Sequence, residues 1–91
     1  MALVACSNNS GLCIFKDDKT NNAQVITDSN KKESSFVTVV RADKGKYANK
    51  GYLIKTFAGN KTFDVMGGAL DEGKNIIQND ITQEEAQLWL F

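Results

Sequence analysis

The amino-acid sequence predicts an all-β fold. Three observations carry that reading. The apolar residues fall in short bursts rather than long stripes. The bursts are rich in β-branched and aromatic residues, which suit a pleated, half-buried surface. Clusters of Asn, Asp, Ser and Gly separate them at intervals of about ten residues, the spacing of a small barrel or sandwich.

In chain order the bursts are Ala2-Leu3-Val4-Ala5, Leu12-Cys13-Ile14-Phe15, Val25-Ile26 and Phe36-Val37-Thr38-Val39-Val40. Tyr52-Leu53-Ile54, Thr62-Phe63-Asp64-Val65, Asn75-Ile76-Ile77 and Leu88-Trp89-Leu90-Phe91 follow. Turn formers sit between them, as in Ser7-Asn8-Asn9-Ser10-Gly11, Asp28-Ser29-Asn30 and Gly67-Gly68. A single helical signal exists, Thr82-Gln83-Glu84-Glu85, which fits a capping box with Thr82 as N-cap and Glu85 at N3. Only six residues follow Glu85, so the expectation is one turn feeding a terminal strand.

The chain has 91 residues and a mass of 10.0 kDa, which makes one small domain spanning residues 1–91. Eleven basic residues balance eleven acidic ones. Zero net charge removes bulk attraction to nucleic acid as a default. The absence of His excludes His-based triads and His-ligated metal sites. The two cysteines, Cys6 and Cys13, are too few for a stapled mini-protein or a Cys-only zinc site and read as small buried hydrophobes. Leu3-Val4-Ala5-Cys6 has the form of a lipobox, but only five residues precede Cys6 and none is basic, so it reads as a chance match. No stretch approaches the ~20 apolar residues that span a bilayer. A soluble chain, cytoplasmic or non-classically secreted, is the expectation.

The two halves of the chain resemble each other. Ala2-Leu3-Val4 lies on Tyr52-Leu53-Ile54, and Gly11 to Phe15 on Lys61 to Asp64. Asn22 to Ile26 lies on Gly73 to Ile77, and Ser34-Ser35-Phe36 on Gln87-Leu88-Trp89. This gives repeat 1 over about residues 2–40, a basic connector over 41–50 and repeat 2 over about 51–91.

The second half carries the more specific pattern. Gly59-Asn60-Lys61-Thr62-Phe63-Asp64-Val65 and Gly67-Gly68 are followed by Asp71-Glu72-Gly73, Ile76-Ile77-Gln78 and Gln87-Leu88-Trp89. Residues 51–91 thereby resemble one repeat of the ricin B-type (R-type) lectin family, whose signature is a Gln-x-Trp behind an "L-D-V-x-G-G" segment. The resemblance implies a β-trefoil-like fold. Trp89, Phe63, Ile54 and Ile76 would fill the barrel in layers, with Phe36, Ile14, Val4 and Val25 as their counterparts. Gln87 would hold a turn by bonding backbone groups, and Gln87 and Trp89 are the structural signature.

The resemblance also implies carbohydrate binding. Asp64 matches the family's sugar-binding Asp. The aromatic position falls on Asn79, and the family's Asn position on Ala86. In repeat 1 the Asp position falls on Phe15. The implied sugar site is therefore Asp64 with Gln78, Asn79 and Asp80. A complete trefoil has three repeats and this chain offers two. The expectation is a barrel closed by self-association, or by a partner chain, or a sequence that is part of a longer protein.

Other chemistries find less support. Asp17-Asp18 and Asp71-Glu72 are adjacent pairs, which point to opposite faces of a strand. No calcium-loop or phosphate-loop spacing is met, and Cys6 and Cys13 lack a His partner. No catalytic residues, metal ligands or cofactors are assigned, and the chain is read as non-enzymatic. Charge is segregated. Residues 41–63 hold Arg41, Lys44, Lys46, Lys50, Lys55 and Lys61 against Asp43, and residues 64–91 hold Lys74 against six acids. Three functions stay open: a lectin-like module for a glycan, a degenerate trefoil acting as an inhibitor or protein-interaction module, and a weak nucleic-acid or anionic-lipid binder through Lys44 to Lys61.

Overall fold

Short β-branched runs between turn-forming clusters give six short strands in a computed structural model of the chain, which describes residues 3, 10–28, 33–68 and 73–90. They are β1 (Gly11–Ile14), β2 (Ala23–Asp28), β3 (Thr38–Arg41), β4 (Tyr52–Lys55), β5 (Lys61–Val65) and β6 (Ile76–Asp80). Each pairing is antiparallel, and the sheet runs β1-β2-β6-β5-β4-β3.

Two hairpins share one geometry. In β1–β2, Ile14 faces Val25; in β5–β6, Val65 faces Ile76. Each connection opens with a single 3₁₀ turn, Phe15–Asp17 or Met66–Gly68. The middle residue of each is left-handed, Lys16 at φ 58° and Gly67 at φ 71°. A second left-handed residue precedes the return strand, Asn22 at φ 69° and Gly73 at φ 80°. Glycine takes this conformation without strain, and Asn tolerates it better than most residues. All these positions differ by 51 residues. A second pair of 3₁₀ turns, Glu33–Ser35 and Glu85–Gln87, leads into the last strand segment of each half.

The core joins Ile14, Val37, Ile54 and Phe63, with Leu3, Leu12, Val25, Ile76 and Trp89 packed against them. This corrects one expected core residue. Phe36 is 56% exposed, while Val37 is 4% exposed. The turn at 33–35 matches the turn at 85–87, so Val37 rather than Phe36 corresponds to Trp89. A one-residue slip along a strand sends each side chain to the opposite face. Val4 and Cys6 lie outside the described residues. Cys13 is buried, at 2% exposure.

The capping box is replaced by a tighter arrangement. Gln83 is left-handed at φ 63°, which interrupts any helical path from Thr82. Thr82 Oγ1 instead accepts the Glu84 N–H at 3.2 Å. The described part of the final segment meets the sheet through one bridge, Trp89 to Tyr52.

Candidate functional site

The β5–β6 register gathers the polar residues of the second half. Asp64 faces Ile77 and Thr62 faces Asn79, so Asp64 and Asn79 are diagonal neighbours on one face of the ladder. Asn79 Nδ2 donates to Asp64 Oδ2 at 3.2 Å. Gln87 Nε2 donates to the same oxygen at 3.2 Å. Among the described residues Asp64 Oδ1 takes no hydrogen bond.

Gln87, 2% exposed, ties this corner together. Its Oε1 accepts the N–H groups of Thr82 at 2.8 Å and Gln83 at 3.2 Å. Its Nε2 also donates to the Asp80 carbonyl at 2.7 Å. The Gln of the Gln-x-Trp pattern thus holds the backbone between β6 and the last turn. Trp89 packs against the core, and its buried indole N–H has no acceptor among the described residues.

A cleft of about 340 Å³ opens above these groups. Asp64, Asn79, Asp80, Thr82, Glu84 and Gln87 give it polar walls, and Ala86 and Gly67 complete the lining. Asp80 is fixed from one side, where Lys61 Nζ donates to Oδ1 at 2.7 Å and Asn21 Nδ2 donates to Oδ2 at 3.1 Å. The Lys61 hydrogen bond, then that of Asn21, then the lysine charge hold the Asp80 carboxyl below its ordinary value of 3.8. Such a cleft can accept and donate several hydrogen bonds, and no aromatic ring lines it.

Of the residues implied by the sequence, Asp64, Asn79 and Asp80 therefore share one cleft, and Gln78 does not. Gln78 pairs with Phe63 and is fully buried. Its Oε1 accepts from Thr56 Oγ1 at 2.6 Å, and its Nε2 donates to the carbonyls of Asp18 at 3.1 Å and Thr20 at 2.9 Å. Its neighbours Ile77 and Asn79 alternate to the other face, as strand geometry requires. Thr82 and Glu84 were not foreseen as site residues. The capping pattern drew them toward a helix start, although their nearness to Gln87 was the available clue.

The first hairpin carries a counterpart. A cleft of about 230 Å³ is lined by Cys13, Phe15, Lys16, Asp17, Ile26 and Asp28, among others. The register sets Cys13 opposite Ile26, as Asp64 is set opposite Ile77. Cys13, not Phe15, occupies the place of Asp64. Asp17 Oδ1 is engaged by the Ser34 hydroxyl at 2.5 Å.

The basic connector is partly self-satisfied. The Arg41 guanidinium lies 5.5 Å from the centre of the Tyr52 ring and donates to its hydroxyl at 3.1 Å. Lys46 pairs with Glu85 at 3.8 Å. Gln83 receives the N–H groups of Asp43 and Lys44 on Oε1 and returns a hydrogen bond to the Asp43 carboxylate. Among the described residues no group of three or more Cys, Asp or Glu is arranged to hold a metal ion. None of their helices is long and apolar enough to cross a membrane.

No family model matches the sequence, and no curated protein does. Among solved structures, the molecule is similar to the crystal structure of the designed 3-fold symmetric protein ThreeFoil. The TM-score is 0.84 at 23% identity, over 98% of this chain and 61% of that one. The chain is β-trefoil-like. At this identity the likeness concerns the fold alone, and the chain spans about three-fifths of the length of that three-fold structure.

Proposed function

We propose that this trefoil is a non-enzymatic, lectin-like module that binds carbohydrate at the Asp64 cleft. One observation carries the reading. Asp64, the position matching the ricin B-type sugar-binding Asp, is held by two side-chain amides on Oδ2 while Oδ1 takes no partner among the described residues. Sugar hydroxyls are donors, and a carboxylate accepts hydrogen bonds more strongly than a neutral group. Asn79, Thr82 and Glu84 supply further polar contacts around it. No aromatic ring lines the cleft, so stacking on a sugar's apolar face contributes nothing there. Weaker binding than at a cleft with a stacking ring is the consequence.

A glycan array and titration calorimetry, run on the wild-type chain and on Asp64→Ala, test the reading. The expected result is glycan binding by the wild type and none by a variant that keeps the same far-ultraviolet spectrum. Absence of binding by both proteins at millimolar glycan removes the proposal. The protein-interaction reading draws on exposed Phe36, Val40 and Leu90, at 56%, 39% and 76%. A pull-down that recovers no protein, beside clear glycan binding, would remove that alternative.

A further inference from the structure

The two hairpin units meet head to tail. The start of β2, Ala23 and Gln24, pairs with Gln78 and Ile77 on the outer edge of β6. Asn22 N–H donates to the Gln78 carbonyl at 2.8 Å. Gln78 reaches into the carbonyls of the first hairpin loop, and Asn21 bridges Lys61 and Asp80. The 51-residue shift that relates the hairpins carries Ile77 and Gln78 onto Ile26 and Thr27. It carries Ala23 and Gln24 onto Lys74 and Asn75. Each half thus contains both faces of this junction, yet only one copy of the junction is formed. Among the described residues no strand pairs with Ile26 and Thr27 on the side away from β1, or with Lys74 and Asn75.

The Thr27 edge is open in a specific sense. Leu12, which faces Thr27, donates its N–H to the Leu3 carbonyl at 2.8 Å. In an antiparallel ladder this makes Leu12 and Thr27 a non-hydrogen-bonded pair, so the N–H and C=O of Thr27 point away from β1. The carbonyl at the matching place in β6, that of Gln78, is the one that Asn22 caps. The turns at 33–35 and 85–87 also place Leu90 where Thr38 begins β3, and Thr38 pairs with Lys55 of the following half. Leu90 is 76% exposed.

We propose that these two edges form a docking site for one further β-hairpin repeat of this chain's own type, which pairs with β2 at Ile26 and Thr27 and receives Lys74 and Asn75 on its own outer edge. Length supports a single repeat, because a 3-fold symmetric structure is matched over 98% of this chain but 61% of its own. A second intact copy fits less well. It brings two repeats to a place for one, and its own junction occupies the edge it would have to offer.

The test appends residues 40–91 directly after Phe91, which continues the register that sets Leu90 on Thr38. The expected product is a monomer with one cooperative transition and a thermal midpoint roughly 10 °C or more above that of the 91-residue chain. Thr27→Pro removes the outward N–H and sets the proline ring on that edge, a place where a strand tolerates proline while the edge is open. It should leave the 91-residue chain within a few degrees of wild type and abolish most of the gain in the extended chain. An appended segment that is protease-sensitive, with the midpoint unchanged, overturns the proposal. So does a gain that Thr27→Pro leaves intact, or a stable dimer of the 91-residue chain that Thr27→Pro converts to monomer. That last result would place a second copy on the edge.

Discussion

Gln87 donates its side-chain amide to Asp64 Oδ2 at 3.2 Å and to the Asp80 carbonyl at 2.7 Å. The residue that holds the last turn therefore also positions the carboxylate proposed to hold a sugar. Fold and site share one buried amide.

Gln87→Ala should consequently cost both stability and binding. It deprives the Thr82 and Gln83 N–H groups and the Asp80 carbonyl of their partner in a part-buried corner. Unsatisfied groups of this kind cost about 1–3 kcal/mol each when water cannot reach them, so a loss of about 2–4 kcal/mol is expected. Urea unfolding measures it. Asp64→Asn keeps the shape and removes the charge, so it should weaken glycan binding while changing stability by about 1 kcal/mol or less.

Gln78 separates a core role from a ligand role. Gln78→Leu strands the Thr56 hydroxyl and the carbonyls of Asp18 and Thr20 at the junction between the two hairpins. A loss of about 2–4 kcal/mol is expected by denaturant unfolding. Glycan affinity, measured where the variant is still folded, should match wild type. A selective loss of binding without destabilisation would return Gln78 to the sugar site.

The placement of Val37 in the core and Phe36 at the surface gives a paired test. Ile14→Ala removes a fully buried side chain that packs with Val37, Ile54 and Phe63, at a cost of about 2–5 kcal/mol. Phe36→Ala, in the 91-residue chain, should lie within about 0.5 kcal/mol of wild type. Thermal denaturation of both variants checks the register of the segment entering β3.

The strands were legible because burial leaves a strong trace in sequence. Ile14, Ile54, Phe63 and Val25 lie in short apolar bursts, and the resemblance set them in the barrel layers, where the core holds them. Phe36 was misplaced because Phe36 and Val37 are both apolar, and adjacent strand positions differ only in the face they occupy. Asp64 was singled out by the resemblance, through its place before Val65 and Gly67-Gly68. Gln78 was misjudged because a buried amide and a ligand-binding amide look alike in sequence. Their difference lies in long-range partners, Thr56 and the carbonyls of Asp18 and Thr20, which no local pattern encodes.

Acid sensitivity follows from Asp80. Its carboxyl is held below the ordinary value of 3.8 chiefly by the Lys61 hydrogen bond, then by Asn21 and the lysine charge. Asp18 is lowered in the same direction by the hydroxyl and N–H of Thr20. A folded carboxyl with a depressed pKa binds fewer protons than its unfolded counterpart between the two values. Its contribution is therefore complete above the unfolded value and is lost as pH falls through the folded one. The wild-type thermal midpoint should thus drop more steeply than that of Asp80→Asn below about pH 4, with the two curves parallel above about pH 5. Because Asp80 is exposed, 1 M salt should shrink the difference. Midpoints recorded from pH 2 to 7 at low and high salt decide the matter. Identical acid limbs for wild type and Asp80→Asn would mean that the Lys61 and Asn21 contacts hold no folded-state charge.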